Sequence, residues 1–389
     1  MSERVYLDWN ATAPMRVQAR AAMAEALGLC GNPSSVHAEG RAARGLIEQA
    51  REHVAALVGG QARNVVFTSG GTEANMLALS PATALHGNAQ PRERLMVSAI
   101  EHPSVLTGGR FPAGAVEKLP VASDGIVDLA ALRERLSNPS AGGVLVSVML
   151  ANNETGVVQP ISEVAALVHD AGGLLHVDAV QAAGRIACDI NMLGADLLTL
   201  SAHKIGGPKG AGALVKRDEG LHLDSLLKGG GQERGARAGT ENVAAIAGFG
   251  AAAAAAYSAL AAEGARVALL RDRLEAEIKA ATPDAIIFGA GVQRVPNTTL
   301  VARTGMKAET AVIAFDLKGI AVSSGAACSS GKVQPSHVLA AMGVSAELAR
   351  AAIRVSLGPD TADSDIKRFL SAWIKVSSVL LKDTKGMAA

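Results

Sequence analysis

A lysine just past a predicted strand is the first residue of this 389-residue chain whose surroundings suggest chemistry. Lys204 ends the motif S-A-H-K at 201–204, and I-G-G-P-K-G follows it. A lysine that forms a Schiff base must be partly desolvated, so that its neutral amine is accessible. Ser201 and His203 add possible donors to a phosphate group. The alternative is a surface lysine in a glycine-rich loop, which is the commoner case for an isolated lysine.

A glycine-rich turn elsewhere favours the catalytic interpretation of Lys204. The motif T-S-G-G-T-E-A-N at 68–75 places this turn between a strand and a helix. Free N–H groups and the helix dipole attract an anion at such a position. Gly71 lies in the turn, and Thr72 adds a hydroxyl. An ordinary turn capped by Thr72 explains the motif equally well when it is considered alone.

Further polar residues follow other predicted strands. Asp178 ends the run L-L-H-V-D, and a buried carboxylate there needs a cationic partner. A protonated pyridine nitrogen would supply that partner and keep the ring an electron sink, with Gln181 near the phenolic oxygen of the ring. Capping of the next helix is the alternative for Asp178. Asn153, in M-L-A-N-N-E-T-G, ends another buried strand, and His102, in E-H-P-S-V, could stack on a cofactor ring and move protons.

Two residues near the C-terminus suggest substrate chemistry. Cys328 lies in S-S-G-A-A-C-S-S-G, which has no apolar core pattern and suits an accessible thiolate nucleophile. Arg354, in A-I-R-V-S-L-G, could bind a substrate carboxylate with its planar guanidinium group, and a structural ion pair is the alternative. Thr240 belongs to a second glycine-rich, basic loop at 229–242, which could complete an anion site across a dimer interface.

The elements that must position these residues alternate between strands and helices. Strands are predicted at 64–68, 94–99, 143–150, 174–178 and 196–201, with helices between them. This alternation indicates an α/β fold with a mainly parallel sheet flanked by helices. Ligand-binding residues collect beyond the carboxyl ends of such strands. We expect a large domain at 16–259, and a smaller α+β domain formed by 1–15 and 260–389 that carries the Cys328 loop.

Composition excludes several other classes of protein. The formal net charge of +1 gives no reason to expect nucleic acid or an anionic membrane as a partner. Three cysteines without a C-x-x-C motif make a poor disulfide framework and a poor metal site, so we expect no metal and a reducing, cytoplasmic compartment. The most apolar tract, at 244–260, is mostly alanine, which favours a buried or inter-domain helix over a membrane span.

Taken together, these motifs resemble the cysteine desulfurases of the NifS/IscS type, within the class V aminotransferase-like enzymes that use pyridoxal 5'-phosphate (PLP). The resemblance runs from V-Y-L-D-W-N-A-T near the start to I-R-V-S-L-G near the end. It includes G-N-P-S-S-V-H, N-N-E-T-G, H-V-D-A-V-Q and R-A-G-T-E-N in the family's order. The segment after Cys328 resembles the longer loop of the group I branch. Trp9, where the family often has a smaller polar residue, and Ala236, where a second arginine is common, depart from the pattern.

The resemblance implies a fold type I PLP homodimer that converts L-cysteine to L-alanine and holds the sulfur as a persulfide on Cys328. Lys204 would be the Schiff-base lysine. The other roles that it implies are phosphate binding by Gly71, Thr72, Ser201, His203 and the partner subunit's Thr240; ring contacts by Asp178, Gln181, Asn153 and His102; and substrate binding by Arg354 and Asn10. The persulfide would pass to an acceptor such as an iron–sulfur scaffold. The sequence leaves open housekeeping, nitrogenase and tRNA-thiolation acceptors.

Three other functions remain as alternatives. An aminotransferase or selenocysteine lyase needs no mobile cysteine. A dinucleotide-binding oxidoreductase would have G-x-G-x-x-G after the first strand, and residues 68–75 lack that spacing. A sulfur-carrier scaffold without catalytic activity would form no lysine adduct.

Overall fold

The computed structural model describes residues 4–85, 91–138, 143–325 and 336–386. Its strands are β1 (Val5–Tyr6), β2 (Val65–Thr68), β3 (Ala84–Leu85), β4 (Arg94–Ser98), β5 (Val116–Leu119), β6 (Val144–Ser147), β7 (Leu174–Asp178), β8 (Leu197–Ser201), β9 (Gly212–Lys216), β10 (Leu221–His222), β11 (Ile286–Ile287), β12 (Thr298–Ala302), β13 (Ile320–Ala321), β14 (Ser323–Ser324) and β15 (Ile353–Ser356). Its α-helices are α1 (Val17–Leu27), α2 (Ala38–Leu57), α3 (Gly71–Ala78), α4 (Pro103–Leu106), α5 (Leu129–Leu136), α6 (Ile161–Asp170), α7 (Ile190–Leu193), α8 (Val243–Ala281), α9 (Ala308–Leu317), α10 (His337–Ala341), α11 (Ala346–Ala349) and α12 (Asp363–Gly386).

The central sheet contains seven strands of the described chain, in the order β2-β9-β8-β7-β6-β4-β5. Neighbouring strands from β8 to β5 pair in parallel, whereas β9 is antiparallel to both β2 and β8. The predicted α/β fold with a mainly parallel sheet is therefore confirmed. Each of the five strands predicted for this region is present, and β5 and β9 are additions to that set.

Alternating side chains of the central strands pack on opposite faces of the sheet, because successive residues of a strand point in opposite directions. Leu198 and Val215 belong to the core cluster that includes residues of α2 and α8. Their neighbours Leu197 and Leu214 belong to another cluster, with residues of α3. Burial on both faces explains why these strands read as continuous apolar runs.

Helix α8 contains the alanine-rich tract. By length and composition it could cross a membrane, but half of its most apolar 18-residue stretch is buried in the protein. It packs against α1 and α2. Phe249, in its first half, belongs to the core of the central sheet, and Leu274, in its second half, belongs to the core beneath a smaller sheet. The helix therefore joins the two cores.

The smaller sheet is antiparallel, in the order β11-β12-β15-β14. The start of the chain joins this region, because β1 pairs with β13 and Val5 and Leu7 are part of its core. The predicted boundary between 259 and 260 falls inside the continuous helix α8, and it remains a prediction.

Candidate active site

One cavity of about 540 Å³ brings together most of the predicted site residues that the structure describes. Its walls include Asn10, Gly71, Thr72, His102, Asn153, Asp178, Gln181, Ser201, His203, Lys204 and Arg354. The volume lies within the range of small-molecule and cofactor sites. Because parallel strands end at the same edge of a sheet, residues far apart in the sequence meet here, as predicted from their positions after strands.

Two predicted residues do not line this cavity. Thr240 is exposed and lines a neighbouring cavity with Ser69 and Arg237. Its predicted role in the site of a second subunit remains a prediction. Cys328 lies outside the described residues. Of the other cysteines, Cys188 is buried, and burial raises the pKa of its thiol to about 12, so it packs as an unreactive side chain.

The loop that carries Thr240 is fixed at Glu233. Arg51 donates hydrogen bonds of 2.6 and 2.9 Å to the Glu233 carboxylate, and the backbone N–H of Phe67 donates another at 2.9 Å. Glu233 and Arg234 both have left-handed backbones, with φ of 48° and 56°. Such conformations persist in non-glycine residues only where the surroundings hold them. The buried ion pair therefore sets the course of this loop.

Lys204 follows β8 after a single 3-10 turn, Ala202–Lys204. The side chain is half-buried, and its Nζ donates to the carbonyl oxygens of Asn10 at 2.5 Å and Ala11 at 2.9 Å. Beside it, burial and the charges of Lys204, Lys209 and Arg185 lower the pKa of His203 to about 4. His203 is therefore neutral near pH 7.

The glycine-rich turn lines one part of the cavity. Helix α3 begins at Gly71, so its first free N–H groups face the cavity. A methyl group on Gly212 would lie 2.5 Å from the backbone carbon of Gly70, so strand β9 can approach the turn only with glycine there. A methyl group on Gly71 would lie 3.5 Å from Cβ of Ser201. The turn and the Ser201 hydroxyl thus form one set of donors that fits a phosphate.

Asp178 presents a buried carboxylate to the cavity. The residue is 5% exposed, and it accepts hydrogen bonds from Nδ2 of Asn75 at 2.8 Å and from the N–H of Val180 at 3.0 Å. Across the described part of the chain, no cationic side chain lies within ion-pairing distance of it. A protonated ring nitrogen therefore fits this position. The bond to Val180 is the local capping contact that we considered as the alternative, and it coexists with a cavity-facing carboxylate.

Asn75 is a site residue that the sequence did not identify. It is 1% exposed, and besides Asp178 its Nδ2 donates to Oγ of Ser104 at 2.9 Å. Its Oδ1 is buried without a hydrogen-bond partner and belongs to the wall of the cavity. Its place one helical turn after the anion-binding turn is the only signal in the sequence.

His102 caps α4 and lines the cavity. Its Nδ1 accepts the N–H of Ser104 at 3.2 Å and lies 2.8 Å from the Ser104 hydroxyl. Burial lowers the pKa of His102, and the charge of Lys204 adds to this effect while Asp178 opposes it. The ring is therefore neutral near pH 7, with its proton on Nε2. The ring nitrogens of His176 bond instead to Ser147 and Thr199 inside the sheet, which is a structural role.

Arg354 reaches the cavity from the smaller sheet. Its side chain is 3% exposed, and it donates to the carbonyl of Asn153 and to Oδ1 of Asp8, both at 2.9 Å. Its Nε is buried without a hydrogen-bond partner. Asn10 links two units, the central sheet and the smaller sheet with the elements packed on each. Its Nδ2 donates to Thr298 of β12 at 2.9 Å and to the carbonyl of Asn153, after β6, at 3.2 Å. A substrate contact by Asn10 remains a prediction.

Of the consecutive polar residues 152–154, only Asn153 lines the cavity. Oδ1 of Asn152 accepts the N–H groups of Glu154 and Thr155 and so fixes the turn. Glu154 accepts the hydroxyl of Ser336 at 2.5 Å, and burial raises the pKa of its carboxyl to about 7. Asn152 and Glu154 therefore make structural contacts, and Asn153 is the residue of the three that reaches the cavity.

Trp9 is accommodated by a glycine. A methyl group on Gly358 would lie 2.0 Å from the indole ring, so the ring lies directly against the backbone there. Trp9 is 7% exposed, and its ring centroid is 6.4 Å from that of Tyr6. The large side chain next to Asn10 therefore packs at the junction of the two units and leaves the cavity open.

Comparisons with known proteins agree with this geometry. The family model for aminotransferase class-V matches residues 5–369. A cysteine desulfurase of Cereibacter sphaeroides is 45% identical, over 95% of this chain and 94% of the relative. The solved structure of a NifS-like protein from Rickettsia africae has a TM-score of 0.86 at 35% identity, and it covers 97% of this chain and 100% of that chain. The structure of SspA in complex with cysteine has a TM-score of 0.76 at 28% identity, over 92% and 100% of the two chains.

Proposed function

Since the chain belongs to the cysteine desulfurases of the aminotransferase class-V family, we propose that its main cavity binds PLP and L-cysteine and that Cys328 receives the sulfur. Three groups that meet in one cavity carry this proposal: the Lys204 amine, the Asp178 carboxylate and the helix N-terminus at Gly71. Among the described residues, Asp178 has hydrogen bonds but no ion pair. These three groups match the aldehyde, the ring nitrogen and the phosphate of PLP. The likeness to a structure that contains cysteine supports the choice of substrate.

Each remaining group of the cavity has a place around the cofactor. Thr72, Ser201 and His203 join the helix N-terminus in holding the phosphate, and His203 serves as a neutral donor. Asn153 and Gln181 would contact the phenolic oxygen of bound PLP, and His102 would stack over its ring. When bound, PLP supplies an electron sink that weakens the bonds to Cα of the attached amino acid. Asp178 maintains that property by holding the proton on the ring nitrogen.

The side chains of this chain then bind the substrate and move its proton. Arg354 binds the carboxylate of cysteine, and Asp8 and the Asn153 carbonyl hold the guanidinium group in place. Nζ of Lys204 takes the Cα proton and returns it to the product. Because His102 is neutral and its Nδ1 is occupied by Ser104, the group that it presents for proton movement is the N–H at Nε2.

The sulfur step needs no external oxidant. The Cys328 thiolate attacks the sulfur of cysteine, and a bond between the two sulfurs forms while the bond from Cβ to sulfur breaks. The electron pair of the broken bond stays with Cβ, which takes up a proton. The three-carbon product leaves as alanine, and Cys328 keeps the extra sulfur as a persulfide.

The wider setting follows the family. We propose a cytoplasmic homodimer in which the partner subunit's Thr240 completes the phosphate site. The persulfide passes to an acceptor protein such as an iron–sulfur scaffold. Housekeeping, nitrogenase and tRNA-thiolation acceptors fit the chain equally well.

The test is mass spectrometry of the PLP-loaded protein after addition of L-cysteine. We expect the peptide that contains Cys328 to gain the mass of one sulfur atom, and alanine to form without any keto acid. C328S should lose both results, whereas C30S should keep them, because Cys30 is exposed and lies outside the cavity walls. Full-rate alanine release by C328S, or a requirement for a keto acid, would contradict the proposal.

A further inference from the structure

The side chain of Arg185 contacts the side chain of Gln181. It lines a second cavity, of about 220 Å³, while Gln181 lines the main one, so the two side chains meet in the wall between them. The segment after Asp178 forms helical turns, with Ala183 N–H bonded to the carbonyl of Ala179 at 2.9 Å. Residues four apart therefore share a face, which brings Arg185 over Gln181.

The contact between these two side chains permits only one orientation of the Gln181 carboxamide. Nη1 of Arg185 donates to the side-chain oxygen of Gln181, and it also donates to the Gln181 carbonyl at 2.6 Å. An arginine can only donate, so it bonds only to the oxygen end of a carboxamide. The nitrogen end of Gln181 must then point the other way, and its Nε2 donates to the Asn10 carbonyl at 3.0 Å. The second hydrogen on Nε2 remains for a ligand.

The charge of Arg185 is also uncompensated. The ion pairs among the described residues do not include it, and its remaining hydrogen bond goes to the carbonyl of Trp9 at 3.4 Å. Burial, with the nearby charge of Arg354, lowers the pKa of Arg185 to about 9, so the group is still a cation near pH 7. Because burial weakens screening, this charge raises the electrostatic potential around Gln181.

We propose that Arg185 is a positioning residue that acts through Gln181. It holds the carboxamide with its N–H group toward the cofactor's phenolic oxygen, and it makes that position more favourable for a negative oxygen. The proposal rests on the proposed function, because it takes PLP as the ligand of the main cavity. Arg185 thus influences the pKa of lysine-bound PLP although it does not touch the cofactor.

The test is a pH titration of the absorbance near ~420 nm that marks lysine-bound PLP in its protonated form. Donors and positive charge at the phenolic oxygen favour loss of that proton. R185M should therefore raise the midpoint by roughly one pH unit, the size expected for one lost hydrogen bond. R185K, which keeps a cationic donor, should stay near the wild type. Q181L should also raise the midpoint, and R185M combined with Q181L should raise it by less than the sum of the two single shifts, because the contact between the two side chains is lost only once.

Different failures have different meanings. If R185M binds PLP with an unchanged midpoint, or if the two shifts simply add, the positioning role is wrong, even when the melting temperature falls. R185Q keeps a neutral donor and serves where R185M does not fold. It should show a smaller rise than Q181L, and an absent shift would count against the charge of Arg185. If the wild type itself shows no ~420 nm band with PLP, the proposed function fails, and this inference fails with it; a wild-type band with an unchanged R185M midpoint overturns the inference alone.

Discussion

The two walls of the main cavity are held in different ways. On the wall formed by the large sheet, Asp178 ends β7 and Lys204 follows β8, and Asn75 and Val180 fix the carboxylate of Asp178. On the opposite wall, Arg354 lies within β15, and its partner Asp8 comes from the start of the chain. The wall that we propose for the cofactor is therefore built by one sheet, whereas the wall that we propose for the substrate depends on how the smaller sheet and the start of the chain meet the central sheet.

This difference predicts two kinds of mutational effect. Changes on the large-sheet wall should remove cofactor chemistry and lower kcat. Changes on the Arg354 wall should weaken substrate binding and raise KM while the cofactor stays bound.

The largest effect is expected for Lys204. K204A removes the group that holds the cofactor and moves the Cα proton, so desulfurase activity should fall by at least ~10⁴-fold. Lys209 lines the same cavity and serves as a matched control. K209A should lose less than about tenfold, the size expected for one peripheral charged contact. Equal losses in steady-state alanine formation would show that Lys204 has no special role.

Replacement of Asp178 comes next. D178N keeps the shape and the contact to Val180 but removes the charge that holds the proton on the ring nitrogen. We expect kcat to fall by roughly 10²–10³-fold, with a smaller change in KM. The measurement is the rate of alanine formation over a range of cysteine concentrations. A D178N enzyme that changes only in KM would place this carboxylate on the substrate side instead.

The Arg354 wall should respond through KM. R354Q loses a charge-assisted bond to the substrate carboxylate, so KM for cysteine should rise roughly 10–100-fold while the ~420 nm band persists. D8N leaves the guanidinium group without its ionic partner, and we expect a smaller rise in the same direction. Loss of bound PLP in R354Q would mean that the two walls are not separable.

The smallest effect that we expect is on the pH dependence of the free energy of unfolding, and it comes from Glu101. Glu101 is fully buried, its Oε1 accepts from Ser98 and Met149, and its carbonyl accepts from His337. Burial raises the pKa of Glu101 from 4.5 to about 8. The unfolded chain therefore loses this proton at lower pH than the native protein, so stability should fall as pH rises from about 4.5 to 8.

E101Q should remove this fall, which amounts to on the order of 2–5 kcal/mol across that range. Urea unfolding at several pH values measures it. E134Q, at an exposed helical position, should leave the pH dependence unchanged. The same pH dependence of stability in the wild type and in E101Q would contradict the buried, protonated state of Glu101.

The same two walls show what could be predicted from the sequence. Asp178, Ser201 and Lys204 were predictable because apolar runs locate strand ends, and ends of parallel strands meet. Strand β5, V-E-K-L, was not, because an edge strand with charged residues lacks an apolar run. Strand β9 was also missed, because it begins at Gly212, inside the glycine-rich segment that follows Lys204.

The partners of Arg354, Asp178 and Gln181 were also beyond prediction from spacing. Asp8 and Arg354 are brought together where Asp8 forms a bridge with Ser356 of β15, near the end of the chain. The roles of Asn75 and Arg185 depend on which side of a helical turn faces the cavity. Composition and strand order do not determine such contacts, whereas the packed structure does.

The central claim is that the polar groups of the cavity surround one PLP molecule held by Lys204. Its most direct test is borohydride reduction of the protein after addition of PLP, followed by peptide mapping. We expect a single reduced pyridoxyl label, on Lys204, with Lys209 unlabelled. A protein that stays colourless with PLP and carries no label at position 204 would contradict the claim.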